Sequence, residues 1–116
     1  MKYSSKIIVA NRRNLVFSNG SRSVEAEFVA VVEMGYMSTE FEAIFNKEID
    51  YKLFIDSVDI DRHGEHLKYA PINKVIEWVE QKIKKIDYRR LKPLLGLLKG
   101  FDQSKWDELQ VIHYGY

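Results

Sequence analysis

The segment from Tyr69 to Ile86, YAPINKVIEWVEQKIKKI, constrains the fold of this chain more than any other stretch. Ile72, Val75, Ile76, Val79, Ile83 and Ile86 recur at the three- and four-residue spacing that draws one apolar stripe along an α-helix, while Asn73, Glu77, Gln81, Lys84 and Lys85 fall on the opposite side. Pro71 fits the first helical turn, where its missing N–H would lack an internal partner anyway and its fixed φ already matches the helix. Glu80 and Lys84 add an i,i+4 pair in the favourable order, worth about 0.2–0.5 kcal/mol. A helix with a single apolar stripe needs a second apolar layer to cover it.

That layer is predicted upstream. Lys6 to Ala10 and Asn14 to Ser18 are short β-branched and aromatic runs separated by Asn11, Arg12 and Arg13, and both read as strands. Ser18-Asn19-Gly20-Ser21 is a turn, because Asn and Gly tolerate the positive φ of a tight hairpin. From Val24 to Met34, Val24, Ala26, Phe28, Ala30, Val32 and Met34 alternate with Glu25, Glu27, Val29, Val31 and Glu33. Period two predicts a long strand, with one wet face in its first half and cover on both sides in its middle.

Thr39 to Asp50 fits two periods. Phe41, Ala43 and Phe45 alternate as in a strand, whereas Phe41, Ile44, Phe45 and Glu48 suit a helix capped by Ser38 or Thr39; the expectation taken forward is a strand. Tyr51 to Ile60 is a further strand candidate, and Asp61 to Lys68 a polar loop. After the central helix, Asp87 is a candidate cap for a short helix opened by Pro93, with Leu91, Leu94, Leu95 and Leu98 on its buried side and Gly100 at its end. Ser104 and Asp107 resemble a capping box, which predicts a last helix from Lys105 to Ile112 burying Trp106 and Leu109. The fold class expected is α+β: one domain over residues 1–116, an N-terminal antiparallel sheet of four to five strands with C-terminal helices packed on one face.

Composition narrows the function classes. With 46% hydrophobic and 30% charged residues, the chain has the balance of a folded domain and not of a disordered one. It has no apolar run of membrane-spanning length, and MKYSSKIIVANRR holds too short an apolar segment for a signal peptide, so an intracellular or virion location and no membrane partner are expected. The absence of cysteine removes disulfides, thiolate metal sites and cysteine nucleophiles together.

Few motifs carry chemistry. Asp59, Asp61, His63 and Gly64 start like a calcium loop, but position five is His and position twelve is Ala70 where a bidentate Glu belongs. His63 and His66 with Asp59 or Asp61 are possible transition-metal ligands, with a solvated loop as the simpler account, and no metal or other cofactor is expected. Glu25, Glu27 and Glu33 lie on a face that alternation predicts to be wet, His113 has no evident partner, and no nucleophile-elbow, phosphate-loop, dinucleotide or zincin motif occurs. No enzyme activity, and no catalytic residue, is therefore expected.

Two surfaces stand out as partner sites. From Lys82 to Lys92 the chain holds Lys82, Lys84, Lys85, Arg89, Arg90 and Lys92 against the single acid Asp87, a run that can grip phosphates, or equally complement a helix C-terminus and shield the core with lysine stems. Aromatics make up 13% of the chain, and Trp78 beside the helix stripe with Tyr114 and Tyr116 at the end are the candidate protein-interface residues.

Pro71, Val75, Trp78 and Val79 follow the pattern P-x-x-x-[IV]-x-x-W-[VI], and over residues 69–82 the chain resembles small tailed-phage neck proteins of the head–tail joining or tail-completion type. The resemblance implies a non-enzymatic virion protein that assembles as a ring between portal and tail, its helix and Trp78 packed on the sheet. The leading expectation is thus a structural or adaptor protein working through protein contacts, as a homo-oligomer. The alternative is a small viral or regulatory protein that uses the basic run to bind nucleic acid or to inhibit a nucleic-acid enzyme.

Overall fold

A computed structural model describes residues 4–35, 37–50, 66–85 and 89–115. The chain folds as β1 (Ser5–Val16), β2 (Arg22–Gly35), α1 (Thr39–Glu42), β3 (Lys47–Glu48), β4 (Lys68–Pro71), α2 (Ile72–Lys85), α3 (Leu91–Lys99), a 3-10 turn (Gln103–Lys105) and β5 (Leu109–Gly115). The strands form one antiparallel sheet in the order β2-β1-β5-β4-β3, and the helices pack against it, an α+β fold with most of its strands N-terminal.

The face under the helices is built from Ile7 and Val9 of β1, Ala70 of β4, and Leu109 and Val111 of β5. Against them lie Ile72, Val75 and Val79 of α2, Leu91, Leu94 and Leu98 of α3, and Phe41, Ile44 and Phe45 in and just after α1, all nearly removed from water. The helix stripe and the pleat of the sheet therefore meet as the spacing of α2 predicts. On the opposite face Ile8, Ala10, Leu67 and Ile112 form a second buried group, with Val24, Ala26, Tyr69 and Tyr114 partly buried around it.

Four expectations change. The two short runs at the N-terminus are one twelve-residue strand, because Asn11, Arg12 and Arg13 continue the ladder instead of breaking it: Asn11 pairs with Glu27, Arg12 with Ala26 and Arg13 with Glu25. The stretch expected as a strand from Thr39 begins as α1, since the Ser38 hydroxyl accepts from the Phe41 N–H at 3.2 Å and the i, i+3, i+4 set Phe41, Ile44 and Phe45 is buried together; only Lys47–Glu48 is strand. The helix expected from Lys105 to Ile112 is instead the short 3-10 turn followed by β5. Asp102, not Ser104, is the cap, accepting from the Ser104 N–H and hydroxyl at 3.2 and 2.6 Å. Leu109, Gln110, Val111 and Ile112 are all buried, as befits a strand in the middle of a sheet covered on both faces, and such a strand shows no alternation to read. Pro71 closes β4 directly ahead of α2 and is not itself in the first helical turn. The strand expected from Tyr51 to Ile60 lies outside the described residues.

The β1–β2 turn forms as expected. The Gly20 N–H donates to Phe17 O at 2.9 Å, the Phe17 N–H donates to Ser21 O at 2.8 Å, and Gly20 sits at φ +84°, a three-residue loop in which a turn is followed by a left-handed residue.

Candidate protein interface

β1 pairs with β5 only as far as Asn11, opposite Leu109, while it stays paired with β2 up to Val16, opposite Arg22. Beyond Asn11 the sheet is thus reduced to a two-stranded arm. Its root is fixed by polar contacts. The Arg12 N–H donates to Glu108 O at 2.8 Å, the buried Asn11 side chain accepts from the Glu108 N–H at 3.0 Å, and Arg13 pairs with Asp107 at 3.4 Å. The Arg12 guanidinium forks onto Asp50, with Nε 3.0 and 3.1 Å from the two carboxylate oxygens and Nη2 closing a further contact, and reaches Glu108 at 3.7 Å. These bonds hold the Asp50 carboxyl below the usual carboxylate range, the hydrogen bond from Arg12 being the chief cause.

The arm and the edge strand β2 carry exposed apolar side chains. Val16 is 66% exposed, Phe17 49%, Phe28 43% and Val31 52%. Phe28 stands opposite Ala10 and Val31 opposite Ile8, so both lie on the sheet face away from the helices. Phe28 and Val31 are thus exposed where the sequence predicts cover on both sides of the strand. Phe28-Val29-Ala30-Val31-Val32 has the composition of a strand sandwiched between layers, yet it forms one margin of the sheet.

The residues singled out in sequence occupy other places. Trp78 is half-buried, edge-on to Phe41 at 5.7 Å between ring centroids, with Lys82 Nζ 5.6 Å over its ring. Tyr114 is half-buried on the opposite face beneath Lys6 Nζ at 5.0 Å, and Tyr116 lies outside the described residues. His113 has a partner after all: its Nε2 is 2.8 Å from the hydroxyl of the fully buried Ser5, and its ring lies against Phe45 and Phe41.

The basic run splits in two. Lys82 is ion-paired to Glu40, and that hydrogen bond, helped by the charges of Lys82 and Lys85, holds the Glu40 carboxyl below its ordinary range. Lys84 and Lys85 are exposed at the end of α2, Arg89 and Lys92 are exposed at the start of α3, and the Arg90 guanidinium lies over Gly35, where an added Cβ would collide with its Nη1. A shallow groove beside Trp78 is lined by Glu40, Ala43, Gln81, Lys82 and Lys85. Of the metal candidates, His66 is exposed and Asp59, Asp61 and His63 lie outside the described residues, among which no group of three or more His, Asp or Glu gathers. No described helix is long and apolar enough to cross a membrane.

Comparison with protein families, curated proteins and solved structures finds no match to this chain.

The exposed apolar set on the arm and along β2 is not legible from strand periodicity, which gives facing but not order within the sheet. The uninterrupted run from Phe28 to Val32, set in a strand that a single turn ties to the N-terminus, is the signal that would have found it.

Proposed function

We propose that the chain is a non-enzymatic structural or adaptor protein that acts through protein–protein contacts, its own copies among its partners, and that the β1–β2 arm with the edge strand is its contact surface. The observation that carries this reading is the exposure of Phe28 and Val31 in a run composed for burial, on a fourteen-residue strand at the margin of the sheet. A long edge strand is a template for pairing with another chain; β2 carries four charged residues and a bulge at Val29, but neither Lys nor Pro. A ring-forming head–tail joining component, which the Pro71-led helix resembles, belongs to this class.

Light scattering across a range of protein concentrations, at low and high salt and with and without a short duplex DNA, tests the reading. The expected result is a mass above that of one chain, rising with concentration, indifferent to DNA and reduced by the paired change Phe28→Ser and Val31→Ser. A monomer at every concentration that gains mass only with DNA at low salt, and loses that gain in the Arg89→Ala, Arg90→Ala variant, would transfer the function to the basic run.

A further inference from the structure

We infer that the second copy binds by antiparallel pairing of β2 with itself about a two-fold axis at Glu27, joining two five-stranded sheets into one; this rests on the protein-contact reading above and names its partner and register. The bond between the Phe17 N–H and Ser21 O makes Phe17 and Ser21 a hydrogen-bonded pair. Antiparallel ladders alternate such pairs with non-bonded ones. Leu15 with Ser23, Arg13 with Glu25, and Asn11 with Glu27 are thus the bonded pairs, and Arg22, Val24, Ala26 and Phe28 turn their backbone groups to the outer edge, where no described strand lies. The Arg12 N–H, opposite Ala26, accordingly points the other way, to Glu108 O at 2.8 Å.

The same four residues share one face of the sheet, the one away from the helices. The register slips by one residue at Val29, between the pairs Val9 with Ala30 and Ala10 with Phe28. Past that bulge the face continues with Val31, opposite Ile8, and Glu33, opposite Lys6. Along the open edge this face therefore reads Arg22, Val24, Ala26, Phe28, Val31, Glu33. Turned end for end, the row complements itself. With the bulge counted as no extra position, an axis at Glu27 sets Ala26 against Phe28 of the second copy, Val24 against its Val31, and Arg22 against its Glu33, each contact made twice.

Cross-strand apolar pairs and opposite charges are the stabilising units of a sheet, and like charges directly opposite are destabilising. Neighbouring registers fare worse. An axis at Ala26 sets Glu25 against Glu27 twice. One at Phe28 places Glu33 against Val24 and Arg22 against Gly35, so neither charge meets its opposite. The register at Glu27 has one defect: the two Glu27 carboxylates face each other, on the face toward the helices. An isologous contact of this kind closes after two copies.

The chain has no cysteine, so single introduced thiols report the register cleanly. Directly opposed residues of a non-bonded antiparallel pair have Cα atoms about 4.5 Å apart, within disulfide reach. Under mild oxidation E27C is expected to form a covalent dimer and E25C none. In light scattering, R22E and E33R each raise the dimer dissociation constant roughly tenfold, since each reversal acts at both ends, and the double variant R22E/E33R restores it. All four positions are exposed or half-buried on the edge strand, and the restoring double variant separates lost pairing from lost folding. Equal cross-linking of E25C and E27C, a dimer indifferent to both reversals, or a chain monomeric at every concentration would each overturn the inference. The second of these would leave a protein-contact function standing on another surface; a monomer that gains mass only with DNA would remove both.

Discussion

One strand, β1, passes through two environments, and the contrast explains how this molecule divides its tasks. From Ser5 to Asn11 it lies between β2 and β5, and Ile7, Ile8, Val9 and Ala10 are all sealed from water because helices cover one face and a second apolar group fills the other. From Arg12 to Val16 the same strand is laddered, among the described residues, to β2 alone, and most of its side chains are exposed. The first half resembles the centre of a larger sheet, where stability comes from burial at about 25 cal/mol per Å² of apolar surface. The second half resembles an isolated hairpin, which is marginal in water unless something packs on it. An arm of about fifteen residues, from Arg12 to Ala26, adds little folding free energy, and its value lies in what it meets.

The comparison breaks first if the two halves respond alike to truncation. Leu94 of α3 is sealed against the sheet, so Leu94→Ala removes packed methyl groups and leaves a cavity, at a cost of about 2–5 kcal/mol. Val16→Thr on the arm changes a mostly exposed side chain and should stay within about 0.5 kcal/mol. Urea unfolding of both variants reads the difference in midpoint. Comparable losses would mean that the arm is part of the cooperative core.

The two left-handed glycines sharpen the point at a smaller scale. Gly20, at the tip of the arm, has φ +84° with open space around it; Gly35, at the base of β2, has φ +68° with the Arg90 guanidinium where a Cβ would go. An alanine in the left-handed region costs about 1–2 kcal/mol at either position. Gly35→Ala must in addition push Arg90 aside, a long flexible side chain that can give way. The expected order of stability is wild type, then Gly20→Ala, then Gly35→Ala, measured by the same unfolding series. Ser5→Ala falls in the same range: it removes a buried hydroxyl 2.8 Å from the His113 ring nitrogen, at a cost of about 1–3 kcal/mol if that nitrogen is left poorly paired.

The sequence made the helix-covered half largely legible. The stripe Ile72, Val75, Val79 and the leucines Leu91, Leu94 and Leu98 are buried as their spacing requires, and the Asn19-Gly20 turn lies where the residues demand a positive φ. What escaped was of two kinds. Leu109 to Ile112 sit in a strand buried on both faces, where the period-two signal vanishes and a capping-like Ser104 and Asp107 pair gives a false helix start. The position of β2 at the margin of the described sheet, with Phe28 and Val31 exposed, depends on β5 pairing with the other side of β1 across about a hundred residues of chain, a contact that no local pattern encodes. Trp78, Tyr114 and the basic run were found by composition, and composition says nothing of whether a ring lies over the core or a lysine is already paired, as Lys82 is with Glu40.

The smallest expected effect concerns the joint between the two halves. Arg12 is the first residue of the arm beyond the β5 ladder, and its guanidinium reaches across to Asp50, just past β3 in sequence, and to Glu108, just ahead of β5. The Asp50 carboxyl is held below its ordinary range, chiefly by the Arg12 hydrogen bond, so the folded protein binds the Asp50 proton less readily than the unfolded chain does. The resulting stability is fully present above the unfolded Asp value, about 4, and is lost as pH falls through the lower native value. Because half of the Asp50 side chain is open to solvent, the contribution is that of an exposed ion pair, about 0.2–1 kcal/mol, and it shrinks with added salt. Asp50→Asn should therefore lower stability slightly at neutral pH, flatten its decline between pH 4 and pH 2, and leave the unfolding cooperativity unchanged. Urea midpoints of the two proteins at matched pH measure the effect. If they remain separated by the same amount at acidic and neutral pH, Arg12 is anchored by Glu108 and the backbone of β5, and the joint of the arm owes nothing to Asp50.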